Sequence, residues 1–538
     1  MKNILKILRW PRRGQGQQSP LPGEAMVPND AGGYCYALDQ WERLDRFLVL
    51  GTEGGTYYAS EQKLSAEAAQ SVIDCIATDG SRAVARIVEM SVSGRAPKQD
   101  PILFALALAT ASAVPATRAL ALAAISKVAR TGAQLQRLAG YIDGLRGWGR
   151  GLRRAVAKWY VEQPLKDLEL QALKYKARGE KGERWSHRDL LRLSHPLAPA
   201  EDVARRALFD RIVKPDSNAE LPLELARFAA AERLQRTTDP DQAVWLITDH
   251  RLPREVVPTE LLNERKVWEA LLADMPMTAM LRSLGKMSQV GLLVPGSAAE
   301  WNVVARLADR DRLRRARVHP LQVLTALAVY RRGHGIKGKL AWHPVPAVVD
   351  ALDRAFYAAF ENVVPSGKRL LLGLDVSGSM GMGQVAGSPL TPREAATAMA
   401  LVTLATEAQA HVVAFQAQLV PLALSPRQRL DDAVRATSGL TFGATDCAQP
   451  MLYALQRGLE VDAFVIYTDN ETWAGAVHPS AALRRYRDAT GIAAKLVVVG
   501  LTSTGFTIAD PADGGMLDVV GFDSAAPALI GDFVADRL

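Results

Sequence analysis

The sequence predicts a multidomain protein: an all-α part built of stacked helical pairs, followed by an α/β part with a doubly wound parallel sheet. Three observations predict it. The chain has 538 residues and 58.3 kDa, too many for one ordinary hydrophobic core. Its hydrophobic period changes near residue 360, from helical spacing to short buried strands alternating with helices. Its charge changes sign at the same place. Residues 1–360 hold 53 Lys/Arg and 39 Asp/Glu, a balance of +14, whereas residues 361–538 hold 12 and 18, a balance of −6.

Taken in order, residues 1–28 read as a flexible tail. MKNILKILRW is followed at once by PRRGQGQQSP, which lacks both the apolar run and the cleavage site of a secretory signal. WERLDRFLVL places Trp41, Leu44, Phe47 and Leu48 on one helical stripe. Ile102 to Val114 is the most apolar stretch and stops at Pro115. A membrane span needs about 20 such residues, so this is a buried helix and no membrane partner is expected. Helix–turn–helix signals continue through 220–285 and 318–332, and a long run of short helices without strands suggests a solenoid. After Lys368, RLLLGLDV, HVVAFQ, DAFVIYTD and AKLVVVGL read as buried strands, with helices near 392–410, 426–437, 447–458 and 479–490. This is βαβ grammar. The three cysteines, Cys35, Cys75 and Cys447, form no CxxC pair, which points to a reducing, cytoplasmic setting and away from a Cys-based zinc site.

The first chemical constellation lies in the second part. RLLLGLDV runs directly into Asp375-Val-Ser377-Gly-Ser379, DAFVIYTD ends at Asp469, and a Gly-flanked loop offers Thr445 and Asp446. Side chains at the carboxyl ends of parallel strands can converge on one point. Oxygen-only donors of this kind suit a divalent cation, Mg²⁺ first and Mn²⁺ or Ca²⁺ as alternatives. The bland reading is a strand-to-helix turn whose Ser and Asp merely cap helices. The order DxSxS, then Thr, then Asp is similar to the metal-ion-dependent adhesion site of von Willebrand factor A domains, and Asp375, Ser377, Ser379, Thr445 and Asp469 fill it.

The second constellation is basic. Arg146, Arg150 and Arg153 fall at helical spacing in LRGWGRGLRRAVAKWY, where three glycines could let another surface approach closely. Next come Lys174, Lys176, Arg178, Lys181, Arg184, His187, Arg188 and Arg192, where Ser186 and Asp189 form a capping box. On the helix it starts, Arg188, Arg192 and His195 share a face opposite Leu190, Leu191 and Leu193. A third stripe is Arg310, Arg314 and Arg317. Any one stripe is an ordinary solvated helix face. Three of them on one half, each beside Trp or His, favour nucleic acid, because Arg binds phosphate bidentately and aromatic rings stack on bases.

NDAGGY (29–34), RFLVLGTEGGTYY (46–58), RGWGRG (146–151), WSHRDLLRLSH (185–195) and HPLQVLTALAVYRRGHGIKGKL (319–340) resemble the Ro autoantigen family, and the resemblance spans roughly residues 28–538. It implies a TROVE domain of HEAT-like helical repeats over 29–362, forming a ring, and a von Willebrand factor A domain with its adhesion site over 363–538. It implies that small structured Y RNAs bind the basic outer surface, that single-stranded 3′ ends of misfolded RNA enter the ring, and that exoribonucleases are partners. It also implies a monomer when free. Lys174, Lys176, Arg178, His187 and Arg188 match the stretch that carries Y RNA contacts, with Arg150, Arg153, Arg192 and His195 as additions. RGEKGE (178–183) is longer than the family's usual link before WSH.

Other chemistries are disfavoured. GHGIKGKL (333–340) nearly fits a phosphate-binding loop, but Leu340 stands where the Mg²⁺-binding hydroxyl belongs. No HExxH zinc pattern or GxSxG elbow occurs, and a two-metal nuclease would want more clustered carboxylates. A non-catalytic RNA scaffold is the leading reading. A metal-dependent protein-interaction module and a metal-dependent nuclease are the alternatives.

Overall fold

The computed structural model describes residues 16–50, 69–94, 99–174, 185–215, 217, 219–336, 338–385, 388–440, 443–502, 504, 506–522 and 526–537. The chain divides into two compact units. One comprises residues 1–71, 319–328 and 356–538, the other 72–318 and 329–355.

The helical unit is built of short helices. Asp100–Thr110, with Pro101 in its first turn, buries nearly every residue, and Pro115 opens the next helix, Pro115–Ala123, instead of continuing it. Asp100–Thr110 packs on Gly132–Arg146, Arg150–Glu162 on His187–Ser194, and the latter on Val203–Val213. Further along, Ala226–Arg236 packs on Pro240–His250, which packs on Arg265–Ala273. Side chains tie neighbouring helix ends together: Arg188 Nε donates to the Val213 carbonyl (3.1 Å) and Arg227 to the Arg251 carbonyl (2.7 Å). Each places the start of one helix at the end of the next, so these pairs are antiparallel.

The other unit is organised by a six-stranded sheet. Strands β1 (Met26–Pro28) and β2 (Tyr34–Ala37) precede it in the chain. The sheet itself comprises β3 (Leu370–Asp375), β4 (Ala410–Phe415), β5 (Leu419–Val420), β6 (Ala463–Thr468), β7 (Lys495–Gly500) and β9 (Met516–Val520), in the order β5-β4-β3-β6-β7-β9. All neighbours are parallel except the edge pair β4–β5. Strands β3 and β6 are buried at every position, as strands covered on both faces must be. A Cβ on Gly373 would lie 2.7 Å from both Ile466 and Pro450, so the glycine lets helix Gln449–Arg457 seat against the sheet. The chain leaves β3 toward β4 and later returns to β6 on β3's other side. The carboxyl ends of β3 and β6 therefore flank the switch point, where doubly wound sheets bind ligands.

Residues 16–28 depart from the expected tail, while 1–15 lie outside the described residues. Gln17 is fully buried, and β1 and β2 pair with each other and with β8 (Phe506–Thr507) in a small antiparallel sheet. Helix Gln40–Leu50, read above as part of the helical domain, folds with the sheet unit: its Arg46 is buried and salt-bridged to Asp518 of β9 at 2.7 Å. The expected stripe is real, since Leu44, Phe47 and Leu48 are all buried, but its partner lies more than 450 residues away. Among the described residues, no helix is long and apolar enough to cross a membrane, and the three cysteines are buried thiols.

Candidate functional site

At the switch point, β3 delivers Asp375 and the turn after it delivers Ser377 and Ser379. The Ser377 backbone N–H donates to Asp375 Oδ1 (2.9 Å) and the Thr468 hydroxyl to Oδ2 (2.8 Å). The Ser377 and Ser379 hydroxyl oxygens stand 3.2 Å apart, and the Ser379 side chain bonds Asp469 at the end of β6. The Glu471 N–H donates to Asp469 Oδ1 (3.1 Å). Four of the five expected residues are thus joined in one hydrogen-bonded set. Thr445 is outside this bonded set; its carbonyl accepts from the N–H groups of Trp473 (2.9 Å) and Ala474 (3.0 Å), on the loop that follows Asp469.

The electrostatics follow from burial. Asp375 and Asp469 are 1% and 2% exposed. Loss of water, then the neighbouring Asp469 charge, push the Asp375 carboxyl up to about 7, and burial likewise raises Asp469. The neighbouring Arg393 guanidinium donates to the carbonyls of Val376 (3.1 Å) and Ser377 (2.7 Å). Two buried carboxylates with hydroxyls around them form an oxygen-only donor set that a hard divalent cation would neutralise, which fits Mg²⁺ or Mn²⁺. Asp446 has a different job. Its carboxylate accepts from Gln17 (2.6 Å), Gln449 (2.6 Å) and the Ala448 N–H (3.1 Å), so it braces the turn that leads into helix Gln449–Arg457. Sequence reasoning missed Thr468, Arg393 and Gln17. Thr468 was findable as the residue before Asp469 on an alternating strand; Gln17 gave no signal at all.

In the helical unit, the capping box at Ser186 and Asp189 forms as expected and starts helix His187–Ser194. Arg188, Arg192 and His195 are exposed on it, while Leu190 and Leu191 are buried. Arg150 and Arg153 are exposed on the first turn of the adjoining helix Arg150–Glu162. His187 is a correction. It is 1% exposed, its Nδ1 lies 2.6 Å from the Tyr160 hydroxyl, and burial lowers its pKa to about 4. The first helical position points into the core here, so His187 offers nothing to a ligand outside. Lys174 ends helix Leu165–Lys174, while Lys176, Arg178 and the RGEKGE stretch lie outside the described residues.

The glycines of RGWGRG also serve the fold. Gly147 ends a helix at φ +76°, Gly149 precedes the next, and a Cβ on Gly151 would meet Leu122 at 2.7 Å. Trp148 and Trp185 stack with ring centroids 5.0 Å apart, joining the RGWGRG and WSH motifs in space. At GHGIKGKL the Gly333 carbonyl accepts the Trp342 N–H (2.8 Å) and a Cβ on Gly333 would meet the Trp342 carbonyl. The Gly335 N–H also donates to the Leu340 carbonyl (3.1 Å), so the described residues of this stretch close into a short hairpin turn.

Comparison with known proteins settles the family. The TROVE domain model matches residues 27–243 and 249–368, and the Ro60 vWA domain model matches 369–534. The chain belongs to the Ro60 family. It is 44% identical to the RNA-binding protein RO60 of Deinococcus radiodurans, with 99% of each chain covered. To the RNA-binding protein RO60 of Caenorhabditis elegans it is 36% identical, covering 96% of this chain and 91% of that one. Among solved structures, the crystal structure of the Deinococcus radiodurans RO (RSR) protein superposes with a TM-score of 0.76, covering 93% of this chain and all of that one. The Ro60 domain pair thus accounts for both halves of the sequence, the helical and the sheet-bearing.

Proposed function

We propose that this chain is a non-catalytic, cytoplasmic RNA-binding protein of the Ro60 type. In this reading a small structured non-coding RNA of the Y type lies on the helical unit. Single-stranded 3′ ends of misfolded RNA are its second ligand class, and an exoribonuclease acts on what it presents in RNA quality control. The observation that carries the reading is the exposed set Arg150, Arg153, Arg188, Arg192 and His195 on two helices that pack together. Arginines so placed give bidentate phosphate contacts, while the buried Leu190 and Leu191 hold their helix rigid. Lys174, Lys176 and Arg178 are further RNA contacts in this reading. The relatives' names, RNA-binding protein RO60, support it. The test is recovery and sequencing of RNA crosslinked to the protein in its own cells. A dominant small structured RNA crosslinked within residues 166–195 supports the reading, and no enriched RNA overturns it.

The sheet unit carries a second, compatible role, a metal-dependent protein-interaction site. Asp375, Ser377, Ser379, Thr445 and Asp469 would hold Mg²⁺, and a partner carboxylate would complete its shell. Intrinsic nuclease activity is the less favoured reading, because the site offers the two carboxylates of Asp375 and Asp469 where a two-metal nuclease wants about three or four clustered together. Mn²⁺ binding followed by calorimetry is expected for the wild type and lost in Asp375→Ala. Equal binding by both proteins removes the metal reading.

A further inference from the structure

The segment that precedes the helical unit in the chain is stitched into the loops of the metal site. Gln17 is fully buried. Its Nε2 donates to Asp446 Oδ1 (2.6 Å) and to the Val477 carbonyl (2.8 Å), and its Oε1 accepts from the Thr472 hydroxyl (2.6 Å). Thr472 Oγ1 in turn accepts the Cys447 N–H (3.0 Å). One side chain from the start of the chain thus links the 445–447 loop, which bears Thr445, to the 469–477 loop, which begins at Asp469. Its backbone is held as well: the Gln17 N–H donates to the Gly475 carbonyl (2.9 Å) and the Tyr34 N–H to the Gln17 carbonyl (2.8 Å).

The turn between β1 and β2 makes a second set of bonds to the same loop. Asn29 Nδ2 donates to the Thr472 carbonyl (2.7 Å), the Ala31 N–H to Glu471 Oε2 (3.0 Å), and the Cys35 thiol to the Asn470 carbonyl (3.4 Å). The fit has no slack. A Cβ on Gly33 would stand 2.0 Å from the Thr472 carbonyl oxygen, and one on Gly475 2.3 Å from Asp446 Oδ1 and 2.4 Å from Gln17 Nε2. Asn470, the residue after Asp469, sits at φ +66° with its Oδ1 accepting the Ile508 N–H (3.2 Å). A loop in that conformation costs about 1 kcal/mol or more and persists only where its surroundings over-determine it.

We propose that residues 16–35 are an integral part of the metal site and that Gln17 is its positioning residue, setting the Thr445 loop and the Asp469 loop in register for a divalent cation. This rests on the metal reading above. Gln17 touches no metal donor atom itself; it acts through Asp446 and Thr472, each within three residues of an expected donor. Substitution of groups that orient metal ligands typically lowers affinity by about 10–100-fold, and Gln17, one bond further out, is assigned the lower end, about ten-fold.

The test uses the full-length protein and Mn²⁺ as probe, with affinity measured by calorimetry or by Mn²⁺ electron paramagnetic resonance. Thermal unfolding is recorded with and without the metal. Gln17→Leu keeps the volume and removes all three side-chain bonds. It is expected to weaken Mn²⁺ about ten-fold and to shrink the Mn²⁺-induced rise in Tm. Tyr36→Phe removes the β2 hydroxyl's bonds to Glu24 and to Ser480 (2.8 Å), neither of which lies on the two loops. It is expected to lower Tm with and without metal alike and to leave Mn²⁺ affinity at the wild-type value. A wild-type Mn²⁺ affinity in Gln17→Leu overturns the positioning role while the metal reading stands. An equal loss of affinity in both variants also overturns it, because the hairpin would then act only through general stability. If the wild type and Asp375→Ala bind Mn²⁺ alike, the metal reading itself has failed.

Discussion

At His187 and Arg188, adjacent residues of one expected contact surface are separated by a single step of a helix. One turns into the core against Tyr160, and the other turns outward to Val213 and solvent. The capping box was legible from Ser186 and Asp189, but which side of the first turn faces the core depends on what packs there. Burial holds the folded His187 pKa near 4, below the ordinary 6.5 of an unfolded chain. The neutral form is favoured in the fold, so its stabilising effect is full above the unfolded pKa and is lost as pH falls from about 6.5 to 4. The difference is worth up to about 3 kcal/mol. His187→Gln should therefore flatten part of the stability loss between pH 6.5 and 4 in denaturant titrations. The same variant should leave RNA affinity at neutral pH unchanged. An unaltered pH profile would mean that His187 is accessible to protons in the native state.

At the scale of elements, periodicity performed well where the partner is close in sequence. Asp100–Thr110, the break at Pro115 and the strands ending at Asp375 and next to Asp469 all follow from apolar runs and punctuation. It failed at Gln40–Leu50, whose stripe was readable but whose destination was not. The Arg46–Asp518 pair is buried, with side chains 1% and 5% exposed, and Asp518 also accepts from Thr507 (2.7 Å). Removing one partner leaves an uncompensated buried charge and costs about 3–5 kcal/mol. Arg46→Met is thus expected to be strongly destabilising in urea unfolding. Arg46→Met combined with Asp518→Leu should recover much of the loss, since an apolar pair of similar volume avoids desolvation. A double variant as unstable as the single one would show that Arg46 acts through its bonds to Thr504 (3.0 Å) and Phe506 rather than through charge.

For the whole molecule, the opposite charges of the two halves set how it should meet a polyanion. If about 6–10 phosphates are contacted, affinity should fall by roughly 10³–10⁵ between 50 and 200 mM salt. Each phosphate contact removed should reduce the logarithmic salt slope by about one. Changing Arg150, Arg153, Arg188 and Arg192 together to Ala should shallow that slope, as read by filter binding across a salt series. A slope unchanged by the quadruple variant would place the RNA elsewhere on the chain.

The sequence by itself determined the two-part architecture, the strand ends that carry Asp375 and Asp469, and the helix that presents Arg188 and Arg192. Each of these depends on residues a few positions apart, where hydrophobic period, capping and spacing are local properties. Tertiary structure alone decided that Gln17 is bonded to Asp446, 429 positions away, that His187 is interior, and that Gln40–Leu50 joins the sheet unit. The physical reason is the same in each case. A buried polar group must find a partner wherever the chain brings one, and nothing in the local pattern of a polar residue records how far away that partner lies.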